Sequence, residues 1–283
     1  ELEILSPTNR VFVYDNQADG MVPAEAVVTV LLKSLSKAVR DKDHIYGCIL
    51  GSGVNYCGKG HGMMTPNPIR EAELMKTVFK RYHLNPSDIQ FILGHGMGVK
   101  IGDAAEVEAL KMALGKNKEK SCYLSSVKPI VGHTFAASGL VSLAAMLMAM
   151  KYNTIFGLHN YKCSSEEIDF SQTPFILTDS NTLWQPKDGK AKMGAISTFG
   201  NSGANAFAVI GEYLKKDDVS VNENYKKKYI FVFSAKDEEQ LRKIARKHAD
   251  YLSENGDIKL KDMAYTLQTG RTAHNVRLAI VAS

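Results

Sequence analysis

The spacing of apolar residues switches repeatedly between the two-residue period of a strand and the longer period of a helix. Short valine-, isoleucine- and leucine-rich runs bounded by glycine, proline or asparagine predict strands. Longer amphipathic segments between them predict helices. The predicted strands are 11–14, 26–32, 43–56, 89–93, 122–127, 194–197 and 206–210, and the predicted helices are 69–83, 104–114 and 135–151.

This alternation of strands and helices predicts an α/β fold over residues 1–213. The chain then becomes polar and charged, which predicts a linker over 214–228. Beyond it, a strand at 229–234, helices at 238–253 and 260–268 and a strand at 277–281 predict a small α+β subdomain over 229–283. We expect this subdomain to be a truncated part of a larger one.

Composition and charge narrow the class of protein. Hydrophobic residues make up 45% of the chain, which is enough for a sizeable core. The net charge of +5 is mixed in sign and forms no basic stripe, so nucleic-acid binding is not expected. The most apolar segment, 135–150, is shorter than the ~20 residues of a membrane span, so a cytoplasmic protein without one is expected. The histidines at 61, 95, 133 and 159 do not have the spacing of a metal site.

The first candidate motif is Gly94-His95-Gly96, at the end of the predicted strand 89–93. The flanking glycines leave the imidazole open to close approach, because glycine adopts backbone angles that other residues avoid. His95 is therefore a candidate for hydrogen-bond or proton-transfer chemistry. The same pattern also fits a tight turn in which the histidine has no chemical role.

The second candidate motif runs from Lys128 to His133, directly before the predicted helix 135–151. Thr134 is expected to cap that helix, which places His133 near its positive end and disfavours the imidazolium form. A neutral imidazole can donate N–H to developing negative charge, and a nearby Lys128 would favour that neutral form. A structural histidine buried under the helix start fits the pattern equally well.

The third candidate motif is the loop 197–205, which joins two predicted strands and contains Phe199, Gly200, Asn201 and Gly203. Such a loop can direct backbone N–H groups at an oxyanion. An ordinary hairpin connection is the alternative.

Together, the order and content of these motifs resemble the ketosynthase family, whose fold is thiolase-like. The family pattern is an HGTGT segment, a lysine shortly before Gly-His, and a phenylalanine-glycine loop that closes on Thr-Asn-Ala. The matching segments are 95–99, 128–133 and 199–206, and upstream 14–20 and 51–55 resemble Phe-Asp-x-x-Ala-Asp-Gly and Gly-Ser-x-x-Asn.

The resemblance covers nearly the whole chain and implies the end of the first half and all of the second half of a thiolase-like fold. Segments 231–236 and 264–271 resemble the linker subdomain that follows ketosynthases in modular type I polyketide synthases. Among these synthases, the sequence most resembles those that are served by a separate acyltransferase.

The resemblance implies a decarboxylative Claisen condensation. In the family, a cysteine accepts an acyl chain from the phosphopantetheine of an acyl carrier protein, and two histidines promote decarboxylation of a malonyl thioester on a second carrier. His95 and His133 would be those histidines, Lys128 the supporting cation, and Phe199, Gly200, Asn201 and Gly203 the loop beside the substrate. No directly bound cofactor or metal is implied, and the intact protein is expected to be a homodimer that works with the other domains of the synthase.

The chain departs from the family pattern at the nucleophile. The Thr-Ala-Cys-Ser-type segment of the family is not found, and Cys48, Cys57, Cys122 and Cys163 all stand in other contexts. The 283 residues alone are therefore expected to be inactive. Cys48, Cys122 and Cys163 are interpreted as structural, while Cys57 is either a structural or a reactive thiol.

Other departures leave the function of the intact protein open. Met97, Val99, Ile130, Asn201 and Phe207 replace residues that are frequent in the family. The leading hypothesis is an extending ketosynthase. The alternatives are a ketosynthase that only transfers the acyl chain, and a scaffold without catalysis that docks carrier proteins. The natural substrate and the pathway product are not specified by the sequence.

Overall fold

The computed structural model describes residues 4–58, 66–115, 121–186, 190–200, 202–214, 228–256 and 258–282. The chain divides into two compact units, Glu1–Leu214 and Lys215–Ser283. The first unit holds the three candidate motifs, and the second is a small α+β unit.

The first unit is built on a six-stranded mixed sheet. The strands lie in the order β1-β8-β7-β2-β3-β5. Among the described strands of this sheet, β8 runs antiparallel to both of its neighbours, whereas β7, β2, β3 and β5 run parallel to one another. The bounds are β1 Cys48–Tyr56, β2 Phe91–Leu93, β3 Cys122–Ser125, β5 Phe175–Ile176, β7 Met193–Phe199 and β8 Ala204–Gly211, and a separate pair is formed by β4 Thr154–Ile155 and β6 Thr182–Leu183.

Five α-helices accompany the described strands of the first unit. They are α1 Leu35–Arg40, α2 Pro68–Arg81, α3 Lys100–Leu114, α4 Lys128–Val131 and α5 Ser138–Lys151. Short 3-10 turns occur at Pro86–Asp88, Phe135–Ala137 and Phe170–Gln172. No helix within the described ranges is long and apolar enough to cross a membrane.

Apolar side chains cover both faces of the sheet. Successive strand residues point to opposite faces, so Ile92 of β2 joins a different cluster from Phe91 and Leu93. Residues of α2 and α3 join the cluster of Ile92, and residues of α5 join the other. The sheet is thus covered by helices on both faces, which explains why its strands read as continuous apolar runs.

Two predicted strands are wrong. Residues 11–14 are buried and lead into a turn at 13–14, where Tyr14 has a φ of 57°. Residues 26–32 lie outside any described strand, and the side chains of Val27 and Leu31 are 98% and 95% exposed. A β-prone sequence forms a strand only where a sheet edge pairs with it, and no described segment pairs with 26–32.

The predicted strands in the core of the sheet are confirmed, with changed boundaries. The strand predicted at 43–56 begins at Cys48, and the helix predicted at 104–114 begins earlier, at Lys100. The helix predicted at 69–83 is α2. The side chain of Asn67 caps α2 by accepting a hydrogen bond from the backbone N–H of Arg70 at 3.2 Å.

The predicted cap at Thr134 is wrong. The helix predicted at 135–151 starts as a 3-10 turn and becomes α-helical at Ser138, and no capping bond from the Thr134 side chain is found in the described structure. The backbone N–H of Phe135 instead donates to Nδ1 of His133 at 3.0 Å. The histidine ring therefore accepts a hydrogen bond from the first backbone amide of the 3-10 turn.

The second unit is an antiparallel strand pair with two helices. Its elements are β9 Tyr229–Ala235, α6 Glu238–Glu254, α7 Leu260–Thr269 and β10 Val276–Ala282, each close to its predicted range. Phe231 and Phe233 of β9 pack with Ala264 and Leu267 of α7 in a small core. Asp237 caps α6 by accepting a hydrogen bond from the backbone N–H of Gln240 at 2.8 Å.

Candidate active site

The three motifs meet at the carboxyl ends of neighbouring parallel strands. His95 follows β2, the segment from Lys128 to His133 follows β3, and Phe199 ends β7. Because β7, β2 and β3 are adjacent in the sheet, their following loops are adjacent too. Open α/β sheets place ligand sites at this edge.

The structure brings His95 and His133 into contact. Their ring centroids lie 5.4 Å apart at an interplanar angle of 80°. The Phe199 ring lies 5.4 Å from that of His95, and the Phe135 ring stacks on that of His133 at 5.0 Å. Both histidines are more than nine-tenths buried, so their rings are shielded from bulk water.

Lys128 joins the two histidine loops. Its side chain is buried, and its ammonium group donates a hydrogen bond to the backbone carbonyl of His95. Burial lowers the pKa of Lys128 to about 8, although the nearby carboxylates of Glu106 and Asp103 favour the charged form. The lysine therefore supplies positive potential at neutral pH from a buried position.

Both histidines are held in the neutral form. Burial lowers the pKa of His133 to about 4, and the charge of Lys128 adds to the effect. Burial also lowers the pKa of His95 well below its ordinary value, with further contributions from Lys128 and His133. At neutral pH each ring therefore carries a single N–H proton.

The neighbouring amides fix where that proton lies. Nδ1 of His133 accepts from the backbone N–H of Phe135, and Nδ1 of His95 accepts from the backbone N–H of Phe199 at 3.4 Å. A ring nitrogen that accepts a hydrogen bond carries no proton, so the N–H of each neutral ring is on Nε2. The site thus holds two neutral imidazoles, each with one N–H donor.

Glu106 is the main residue that the sequence interpretation missed. Its buried carboxylate accepts hydrogen bonds from the backbone N–H groups of His95 at 2.6 Å and Gly96 at 2.8 Å. It also accepts from the Tyr14 hydroxyl at 2.8 Å and the Ser197 hydroxyl at 2.6 Å. The sequence did contain one signal for its burial. Glu106 lies one turn before Leu110, on the apolar face of the predicted helix 104–114.

Asp103 makes a second bridge between segments that are distant in the sequence. Its carboxylate accepts from the backbone N–H groups of Tyr14 at 2.9 Å and Met97 at 3.1 Å. Burial raises the pKa of Asp103 to about 7, while these hydrogen bonds oppose the rise. Asp103 and Glu106 therefore tie the turn at Tyr14 to the loop of His95.

Three backbone amides of the third motif donate hydrogen bonds within the described structure. The backbone N–H of Gly200 donates to the Ala204 carbonyl at 2.7 Å, and that of Gly203 donates to the Gly200 carbonyl at 2.8 Å. The amides of Gly200 and Gly203 therefore stabilise the loop itself, whereas that of Phe199 donates to His95. Asn201 lies outside the described residues.

The four cysteines have different environments. Cys122 is buried, and burial raises the pKa of its thiol and that of Cys48. Cys163 is exposed, and Cys57 is partly exposed. Cys57 lines a cavity of about 80 Å³ together with His95 and Phe199.

The absence of a metal site was predicted from the spacing of four histidines. One of them, His61, lies outside the described residues. Within the described ranges, no group of three or more His, Cys, Asp and Glu side chains is arranged to hold a metal ion.

Two family models match the chain. Residues 46–162 match the model for the beta-ketoacyl synthase C-terminal domain, and residues 229–283 match the CurL-like C-terminal model of polyketide synthases. Among curated proteins, polyketide synthase PksM of Bacillus subtilis (strain 168) is 48% identical over 99% of this chain, which spans 7% of that protein. Polyketide synthase ThaG of Burkholderia thailandensis is 35% identical over 95% of this chain, which spans 5% of it.

Solved structures of ketosynthases are also similar to this chain. The ketosynthase from module 6 of the bacillaene synthase of Bacillus subtilis 168, studied as a cysteine-to-serine mutant, is 37% identical with a TM-score of 0.84. The alignment covers 99% of this chain and 48% of that chain. The module 1 ketosynthase of the same pathway from Bacillus amyloliquefaciens FZB42 is 30% identical, with a TM-score of 0.82, over 99% of this chain and 48% of that chain.

The chain therefore belongs to the beta-ketoacyl synthases, as part of a ketosynthase of a modular polyketide synthase. The thiolase-like α/β fold expected from the sequence is confirmed by these structural neighbours. The chain spans about half the length of the solved ketosynthases that it matches, and a small fraction of the curated synthases.

Proposed function

We propose that the 283 residues contain the decarboxylation site of a ketosynthase. In the intact synthase, the ketosynthase would condense a malonyl thioester with an acyl chain. The supporting observation is the pair of neutral imidazoles, His95 and His133, in contact and each with its proton on Nε2. Two neutral N–H donors suit a thioester carbonyl that becomes an enolate, since they stabilise new negative charge without having to transfer a proton.

The chemistry follows from these donors. The carbonyl oxygen of a malonyl thioester accepts hydrogen bonds from both Nε2–H groups. The bond to the malonyl carboxylate then breaks, carbon dioxide leaves, and the electron pair forms the enolate. Lys128 lowers the energy of this anion through its positive potential, and it keeps both imidazoles neutral because it disfavours a second cation nearby.

The second half of the reaction requires a thiol nucleophile. The enolate carbon attacks the carbonyl of an acyl-cysteine thioester, a carbon–carbon bond forms, and the cysteine leaves as a thiolate. We propose that this cysteine is contributed by a part of the ketosynthase outside these 283 residues, because none of the four cysteines stands in the family's Thr-Ala-Cys-Ser-type segment. Burial makes the thiols of Cys48 and Cys122 less acidic, Cys163 lies on an exposed loop, and the thiol of Cys57 donates to Oδ1 of Asn205 and not to either histidine. The 283 residues alone would then be inactive.

The proposed partners follow from the same chemistry. Acyl and malonyl groups would arrive as phosphopantetheine thioesters on acyl carrier proteins, within a homodimeric cytoplasmic synthase that is served by a separate acyltransferase. We assign residues 1–213 to the ketosynthase, 214–228 to a linker and 229–283 to the subdomain that follows ketosynthases. The family-model matches at 46–162 and 229–283 support this assignment.

The decisive experiment uses the full-length ketosynthase with malonyl-carrier protein, and it measures release of carbon dioxide separately from acyl loading. We expect His95→Ala and His133→Ala each to lower the rate of decarboxylation by about 10²-fold or more, because each removes one enolate donor. Acyl loading, followed by intact-protein mass spectrometry, should change much less. His159→Ala is the matched control, since His159 is exposed.

Different outcomes distinguish the functional alternatives. Retained decarboxylation in both histidine variants would refute the assignment. Acyl loading by the wild type with neither decarboxylation nor extension would identify a ketosynthase that only transfers chains, and Met97, Val99, Ile130 and Asn201 would be the first residues to revert. Neither loading nor decarboxylation would indicate a carrier-docking scaffold.

A further inference from the structure

A small polar cavity lies on the side of His95 that faces α2. It has a volume of about 80 Å³, and its lining includes Cys57, Glu71, His95, Phe199 and Asn205. Since a water molecule takes about 30 Å³ in the liquid, this space holds a short arm of a few atoms but no long acyl chain. The lining combines a thiol, a carboxyl group, an amide and an aromatic ring.

Cys57 is hydrogen-bonded to the end of the loop that follows β7 and to the start of β8. Its backbone N–H donates to the Gly203 carbonyl at 2.8 Å, and its thiol donates to Oδ1 of Asn205 at 3.4 Å. The Asn205 amide is itself fixed, because it donates to Oδ1 of Asn55 at 3.0 Å. Cys57 is therefore partly exposed, and its sulfur is held by a hydrogen bond.

Glu71 provides an independent sign that the cavity suits a ligand. This residue of α2 is 1% exposed, and its Oε2 has no hydrogen-bond partner among the described residues. A buried polar atom without a partner costs free energy, so such an atom calls for an explanation. Burial raises the pKa of Glu71 to about 8, and repulsion from Glu106 adds to the rise. At neutral pH the group is thus mainly a carboxylic acid that can donate a hydrogen bond.

We propose that Cys57 is a covalent modification site for small amide-bearing thiols, which attach as mixed disulfides while Glu71 donates to the amide carbonyl. The Cys57 thiolate attacks one sulfur of a low-molecular-weight disulfide, and a new sulfur–sulfur bond forms. The old sulfur–sulfur bond breaks, and the other half leaves as a thiolate that takes a proton from water. Cys57 is oxidised and one half of the reagent is reduced.

The other cysteines provide internal comparisons. Burial makes Cys122 and Cys48 poor nucleophiles, because it raises the pKa of both thiols. Cys163 is exposed, and its environment is a loop whose amides donate to Asp15. It should react with disulfides without a preference for an amide.

The test exposes the 283-residue chain to two reagents, bis(N-acetylcysteamine) disulfide and bis(2-hydroxyethyl) disulfide. The first carries an amide two carbons from sulfur, and the second carries a hydroxyl there. Peptide mass mapping follows the adducts on Cys57 and Cys163 over time. We expect Cys57 to prefer the amide reagent by about tenfold, the size of one net hydrogen bond of about 1.4 kcal/mol, and Cys163 to show no preference.

Two variants test the role of Glu71. Glu71→Leu, which removes the donor, should abolish the preference at Cys57, whereas Glu71→Gln, which keeps a donor, should retain it. An equal rate of both reagents at Cys57 of the wild type would overturn the proposal, as would a preference that survives Glu71→Leu. If Glu71→Leu fails to fold by circular dichroism, the comparison of reagents on the wild type and on Glu71→Gln decides.

Discussion

The loops of His95 and His133 each position a neutral imidazole, but different contacts hold the two loops in place. Four donors converge on the Glu106 carboxylate and hold the His95 loop from behind. The His133 loop has no comparable side-chain acceptor among the described residues. It is positioned through its main chain, since the backbone N–H of His133 donates to the Val22 carbonyl at 2.7 Å and that of Ala24 donates to the His133 carbonyl at 2.9 Å.

This difference separates two requirements of the site. The proposed mechanism requires both rings to be neutral, and burial together with Lys128 lowers the pKa of both. The two loops also need to stay in place, and here a buried anion serves one loop while backbone pairing serves the other. Substitutions behind His95 should therefore affect stability strongly, and removal of Lys128 should affect the ionisation of both histidines.

The largest effect is expected from Gly94→Ala, which breaks the support of His95. The new Cβ would lie 2.1 Å from the Tyr14 hydroxyl and 3.0 Å from Oε1 of Glu106. We expect the free energy of unfolding to fall by about 3–4 kcal/mol in urea titrations of the chain. Gly102→Ala is the control, since its Cβ meets nothing closer than 3.5 Å and alanine favours the helix. A loss of less than about 1 kcal/mol in Gly94→Ala would contradict the packing described here.

The next effect concerns the carboxylate itself. Glu106→Gln keeps the shape of the side chain but removes its charge and presents an NH₂ group to donors. We expect a loss of about 2–3 kcal/mol in the free energy of unfolding, because hydrogen bonds to a buried charged acceptor are strong. Glu108→Gln, on the exposed side of α3, should change stability by less than about 0.5 kcal/mol. Equal effects of the two substitutions would show that Glu106 gives the His95 loop no special support.

A smaller effect is expected in the pH dependence of stability. The folded chain keeps the Glu71 proton up to a pH of about 8, whereas an unfolded glutamate loses it near 4.5. Between these values the folded state binds more protons, so the contribution of Glu71 to stability falls as pH rises. From pH 6 to 8 the wild type should lose about 2 kcal/mol more than Glu71→Gln. Glu73→Gln, an exposed change on the same helix, should follow the wild type in urea titrations at both pH values.

The clearest change in ionisation is expected from Lys128→Met. Without the ammonium group, the pKa of His133 should rise above about 4 but remain below 6.5, because burial is the larger cause of its shift. The pKa of His95 should rise as well. Nuclear magnetic resonance of the imidazole protons measures both values. Lys151→Met, at an exposed lysine, should leave them unchanged. Unchanged values in Lys128→Met would show that Lys128 does not influence the histidines.

The sequence predicted the parts of the site that are local in the chain. His95 and Lys128 to His133 stand at the ends of short apolar strands, and a strand end is recognisable from a few residues. The second structural unit was also predictable, because its helices are amphipathic and its strands are short apolar runs. Local pattern therefore sufficed where each element forms from its own residues.

The network around Glu106 was not predictable from local pattern. Tyr14 and Ser197 are separated from Glu106 by 92 and 91 residues, so only the folded chain shows that all three meet. The predicted strand 26–32 failed for a related reason, because a strand depends on a partner that its own residues do not specify. The predicted Thr134 cap failed because Thr134 has a φ of −89° and a ψ of 20°, and not the extended backbone that is typical of an N-cap residue.

The contact of Tyr14 with Glu106 has a consequence for the recombination of ketosynthases. The hydroxyl, the carboxylate and the His95 backbone form one unit, although Tyr14 is encoded far upstream of the His95 loop. A chimera whose junction falls between residues 14 and 106 would inherit the two halves of this unit from different parents. Junctions placed before residue 14 or after Ser197 would keep the parental set together, so module exchange should tolerate them better.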